Sequence, residues 1–199
     1  TTLTVKSAGT SIAQGVVVQA AGVGLAAIGA TNITANAAGL FEAYIHVPSG
    51  ASVTAQLINV LTDYYAKATA NTQQSGGGLD VSGVSVNTNN ATASVNTAAN
   101  AYISGGGSVT ALSSSGGKSV RVEVNGEAYA IAGVQEPNVS ISGISVAANV
   151  VTATLAASQS AFIQDALVVA PYINVESYFN KGKSSGATAS LGGHGGVSL

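Results

Sequence analysis

The sequence predicts an all-β, repetitive β-solenoid, a parallel β-helix with a repeat of roughly 58–60 residues. Three observations predict it. The tripeptides Ala43-Tyr44-Ile45, Ala101-Tyr102-Ile103 and Ala161-Phe162-Ile163 place an aromatic residue at intervals of 58 and 60 positions, and self-similarity at a fixed period marks a repeat array. Runs such as Val120-Arg121-Val122-Glu123-Val124 and Ile173-Asn174-Val175-Glu176 alternate apolar and polar residues, the period of two expected of half-buried strands. Gly, Ser and Asn interrupt these runs while Pro occurs only three times in 199 residues, which suits short strands joined by tight turns.

Taken in order, the repeats divide the chain into one continuous array with units at 1–55, 56–111 and 112–170 and a partial unit at 171–199. The first unit opens on the alternation Leu3-Thr4-Val5. Its Ala-rich part carries Gly at 22, 24, 29 and 39, each costing about 1 kcal/mol in a helix interior, so a strand reading is preferred. In the second unit Leu57, Val60, Leu61 and Tyr64 fall at helical spacing, but the matching positions of later units alternate as strands and the repeat register decides for β. In the third unit Val139 to Val146 aligns with Leu79 to Val86 at an offset of 60, and Val197 follows Val139 by 58 as a fourth unit begins.

A period near 60 divides, at ordinary strand lengths, into about three turns of solenoid. Tyr44, Tyr102 and Phe162 then occupy equivalent positions some 14 Å apart, too far to stack, and fill corners of the core. Asn125-Gly126 between two alternating runs reads as a type I′ hairpin, and hairpins of that kind would make the fold an antiparallel β-sandwich of pilin type, the alternative architecture. Neither end of the array carries a capping element, so the solenoid is expected to continue at both ends, within a longer chain or by stacking of subunits.

Composition excludes several classes of function. Residues of the AVILMFWYC set make up 46% of the chain and charged residues 7%, against about 25% charge in an average soluble domain, so this is not a solvated disordered tail. The 25 Gly have no three-residue period, which excludes collagen. Cys is absent, which removes disulfides and thiolate metal sites. A net charge of −2 supplies no basic field for nucleic acid, and no apolar run is long enough for membrane insertion of this segment. The opening TTLTVKSAGTS has no signal layout and reads as a mature product or an excerpt.

No catalytic constellation is expected. Glu123 and Glu127 flank the Asn-Gly turn, and one Arg121 with five Lys cannot assemble the cationic clusters of polysaccharide-cleaving β-helices. Neither a metal site nor a cofactor is expected. His46 and His194 are the only imidazoles, and GGGLD and GGHGG lack the iterated Asp of calcium rolls. A phosphate-cradling GxxxxGK[ST] is absent. Asn32, Asn90 and Asn138 head N-x-[ST] triplets of a kind a chain rich in Asn, Thr and Ser produces by chance.

The residues Val81-Ser82-Gly83-Val84-Ser85-Val86, Ala91-Thr92-Ala93-Ser94-Val95, Ala101-Tyr102-Ile103 and Ser108-Val109-Thr110-Ala111 form a pattern with weaker copies on either side. It resembles the repeats of bacterial leukotoxin-like filamentous adhesins and related giant β-strand-repeat surface proteins. The resemblance implies an extracellular filamentous molecule at the cell surface, with adhesion or matrix formation as its role. Members of that group are very long, whereas this chain holds about three and a half units.

The expectation is therefore a non-enzymatic structural subunit or segment of an extracellular bacterial filament or adhesin. Its partners would be further copies of itself, end to end and laterally, and a host or neighbouring cell surface. A second reading is a carbohydrate- or receptor-binding surface module, which requires exposed, clustered aromatics at Tyr64, Tyr65, Tyr172, Tyr178 and Phe179. A third is a donor-strand pilin.

Overall fold

Small apolar and polar residues alternate without a break for up to 26 residues, which produces strands far longer than the usual 5–6. The computed structural model describes residues 1–19, 23–74, 79–135, 139–184, 186–192 and 197–198. Within them the strands are β1 (Thr2–Gln19), β2 (Val23–His46), β3 (Ser52–Ala55), β4 (Leu57–Gln74), β5 (Leu79–Ser104), β6 (Ser108–Ala111), β7 (Val120–Gln135), β8 (Val139–Gln164), β9 (Leu167–Val169), β10 (Ile173–Phe179), β11 (Ala187–Gly192) and β12 (Val197–Ser198).

Every pairing between these strands is parallel. Sheet A runs β1-β4-β7-β10 with β11 also on β7, sheet B runs β2-β5-β8-β12, and sheet C runs β3-β6-β9. The chain visits A, B and C in turn and returns to A. Each circuit is one coil of a parallel β-solenoid with two long sides and one short side. β1–β3 form the first coil, β4–β6 the second and β7–β9 the third, and β10–β12 begin a fourth.

One repeat is therefore one coil, not three. Ala43 pairs with Ala101 and Ala101 with Ala161, so repeat-equivalent residues are neighbours across a single strand spacing of about 4.8 Å. Residue count per turn was underestimated because these strands are four to five times the usual length. Coil length also varies with the corners. The corner from β3 to β4 is the single residue Gln56, whereas that from β6 to β7 spans 112–119 and turns through Gly116 and Gly117 at positive φ.

Asn125-Gly126 is not a turn. Both residues lie inside β7, paired with Asp63 and Tyr64 above and with Tyr178 and Phe179 below. The Asn125 side chain donates to Glu123 Oε1 at 2.6 Å and to Asp63 Oδ1 at 3.3 Å, which holds it on the sheet surface. Gly126 is required by packing. A Cβ there would lie 2.2 Å from Tyr64 Cε1. Among the described residues the sole antiparallel pair is the isolated bridge between Ser115 and Lys118 in a corner loop, and the sandwich alternative is not favoured.

Sheets A and B face each other across the core. Alternation sends Ala66, Ala68 and Ala70 of β4 and Ala128, Ala130 and Ala132 of β7 inward against Ala91, Ala93, Ala99 and Ala101 of β5. Ala supplies 15 of the 28 buried apolar residues, so burial per residue is small. The array must draw its stability from continuous pairing along the axis as well. Two large rings interrupt this small-residue core. Phe41 and Tyr64 stack at 5.3 Å with an interplanar angle of 11°, and they occupy the volume left by Gly9 and Gly126, which align with Tyr64 in sheet A.

Candidate functional site

Strict alternation leaves two outer faces and two open ends. On the outer face of sheet B, beside the short side, Tyr44, Tyr102 and Phe162 stand in one column because β2, β5 and β8 pair in that register. Their rings stack, Tyr44 on Tyr102 at 5.2 Å and 8° and Tyr102 on Phe162 at 4.9 Å and 2°. This corrects the expectation of a 14 Å separation and of burial in a corner, since Tyr44 is 50% exposed. Polar columns flank the ladder. Asn100 Nδ2 donates to Glu42 Oε1 at 3.5 Å on one side, and His46 Nδ1 lies 3.2 Å from Ser104 Oγ on the other. Ring faces are consumed by stacking, so a ligand approaching from the side meets ring edges.

The outer face of sheet A is chemically different. Apart from Glu42, Asp80, Glu136 and Asp165, every charged residue of the chain belongs to sheet A or to its corner loops. The core between the sheets admits no charge, so the strands turn all of them outward. Lys6 pairs with Asp63 at 2.7 Å. Glu123 is 4% exposed. It accepts from Arg121 Nε and from Asn125, with Lys118 3.9 Å away. Burial alone would raise the Glu123 carboxyl, but the hydrogen bonds from Arg121 and Asn125 outweigh it and hold the group below its ordinary value. Glu127 accepts from the Tyr129 hydroxyl at 3.3 Å and faces Lys183 at 3.8 Å. Lys181 Nζ sits 3.7 Å over the Tyr178 ring, a cation–π contact.

Between these columns lies a groove of about 450 Å³ whose floor is backbone of three successive strands, at 8–10, 63–65 and 125–127. Asp63, Tyr65, Asn125 and Glu127 line it, and Tyr178 and Lys181 close its lower side. Tyr65 and Tyr129 meet at 5.9 Å and 45°. They are 64 residues apart while β4 and β7 pair at an offset of 62, so they touch diagonally, a relation that only the exact coil register discloses.

The aromatics of the surface-binding reading are thus dispersed. Tyr64 is 5% exposed and belongs to the core, where burial raises its hydroxyl above the usual value. Tyr65 and Tyr178 meet at the groove. Tyr172 is exposed at the opposite end of sheet A, where its backbone N–H donates to Ser119 Oγ at 3.2 Å. Phe179 aligns with inward Gly126 and sits at a core position of the incomplete fourth coil. Lys181, Asp63 and Tyr129 were not picked out by sequence, since nothing local distinguishes them from solvated residues. No group of three or more His, Asp or Glu suited to a metal occurs among the described residues. His194 and Asn138 lie outside them.

The third feature is the strand edges. Within the described array β1, β2 and β3 pair on one side only, as do β10, β11 and β9, while β12 covers just Ile141 and Ser142 of β8. Ile173, Val175 and Phe179 face the core register yet are 46, 41 and 40% exposed, because no further coil lies below them here. Comparison with protein-family models, curated proteins and solved structures finds no match.

Proposed function

We propose that this chain is a structural segment or subunit of an extracellular filament in which coils of this geometry follow one another along one axis. The observation that supports the reading is the pair of open ends in one phase. Edge strands of 18, 24 and 4 residues border one end, and apolar residues at core positions border the other. Such edges template further parallel strands. A coil added below would pair with β8 and place its aromatic residue under Phe162, extending the ladder.

Shape supports the same reading. A 26-residue strand has a contour of about 85 Å, whereas three stacked coils rise only about 14 Å. The chain exposes 9916 Å², above the roughly 8,500 Å² of a compact monomer of 19.3 kDa. The two broad ends are where further burial is available, and end-to-end growth is the geometry that uses them. The resemblance to filamentous adhesin repeats assigns such a filament to the cell surface.

Electron microscopy and fibre diffraction of the purified protein test the proposal. Unbranched fibres with a meridional spacing near 4.8 Å are expected. A protein that stays a dispersed monomer as its concentration is raised overturns it.

A further inference from the structure

We infer that the groove on the outer face of sheet A binds a short acidic oligosaccharide, with hydroxyl groups held by Asp63, Asn125 and Glu127 and a sugar carboxylate held by Lys181. The inference stands apart from the filament reading, since it concerns a side face that end-to-end growth leaves uncovered.

In a chain with so few charged residues, their concentration around one groove is the first argument. The second is the state of the acceptors. Asp63 receives Lys6 Nζ and Asn125 Nδ2, and Glu127 receives the Tyr129 hydroxyl and Lys183. A carboxylate offers about four acceptor positions, so these contacts orient both groups and leave acceptor capacity for incoming hydroxyl donors. Their spacing down the groove follows the strand rise of about 4.8 Å, which sets acceptors in rows along a linear ligand. Ligands held through backbone-floored polar grooves of this kind are donors rich in hydroxyls rather than apolar side chains, for which the groove has no pocket.

The third argument is Lys181. Asp63, Glu123 and Glu127 all have cationic neighbours, whereas Lys181 forms no ion pair among the described residues and rests on the Tyr178 ring at 3.7 Å. A carboxylate on the ligand supplies the partner this ammonium lacks, and Lys181 thereby sets specificity for acidic over neutral sugars.

Calorimetric titration of the whole chain with a trimer of galacturonic acid, and with the same trimer methyl-esterified, tests this. Saturable binding of the acid is expected, weakened tenfold or more by esterification, by Lys181→Gln and by Asn125→Ala. Far-UV circular dichroism shows whether each variant keeps its strand content, and Lys181→Gln, in an exposed corner loop, serves as the variant whose folding is not at issue. Absence of binding at millimolar trimer overturns the proposal. So does equal binding of acid and ester, or an unchanged affinity in Lys181→Gln.

Discussion

The Tyr102 ring lies 4.9 Å from that of Phe162 with only 2° between their planes, and its opposite face carries Tyr44 in the same way. A ring sandwiched on both faces fixes register as well as adding stability, because a slip of one residue would turn it to the core side. Tyr102→Ala is expected to cost about 1–3 kcal/mol, as two stacked pairs are lost at about 0.5–1.5 kcal/mol each. Tyr102→Phe should be nearly neutral. Denaturant unfolding of the two variants side by side checks this.

Gly126 and Tyr64 are a second coupled pair. A methyl group at 126 would stand 2.2 Å from the Tyr64 ring, so Gly126→Ala should destabilise by about 1–3 kcal/mol through overpacking. In a double-mutant cycle with Tyr64→Ala the two losses should fall short of additive, since the smaller residue at 64 leaves room for the new methyl. Strict additivity would mean that the ring is not what excludes a side chain there.

Glu123 makes stability depend on acid. Its carboxyl titrates below the ordinary value in the folded chain because Arg121 and Asn125 hold it ionised against the effect of burial. A depressed carboxyl contributes stability that is present above the unfolded value, 4.5, and is lost as pH falls through the lower folded value. Glu123→Gln should cost about 1–3 kcal/mol at neutral pH, with Arg121 left unpaired. It should also flatten the stability profile below pH 4.5. Melting temperatures across an acid series, wild type against variant, show whether that branch disappears.

Amide exchange should be graded along the axis. β4, β5 and β7 are paired on both sides over most of their length, and their amides should be the slowest to exchange. β1, β3 and β9, each with one neighbour, should exchange sooner. In the filament form the difference should shrink as the edges become paired. Mass spectrometry on dispersed and assembled protein compares the two.

Much of this architecture was legible in the residues. The aromatic positions 44, 102 and 162 gave a register that the β2-β5-β8 pairings reproduce, and alternation in Val120–Val124 correctly announced a strand. What failed was scale. Strand length is set by how long alternation can continue without a break, and β5 and β8 run for 26 residues through Asn, Thr and Ser that would end an ordinary strand. Asn125-Gly126 misled for a related reason: the pair favours a turn locally, but a continuous parallel ladder on both sides overrode it. The groove was invisible because Asp63, Asn125 and Tyr178 are 53–62 residues apart and meet only once the coil length is known.

The elongated coil cross-section also fixes how such an object would bend. Two sheets with their side chains are about 20 Å thick, and the long sides are about 85 Å wide. Bending resistance grows with the cube of the dimension lying in the bending plane, so an array extended along the axis is roughly eighteen times stiffer edgewise than flatwise on these dimensions. It would behave as a tape: compliant when folded over its broad face, rigid against sideways deflection, and able to lie flat along a surface while resisting shear across it.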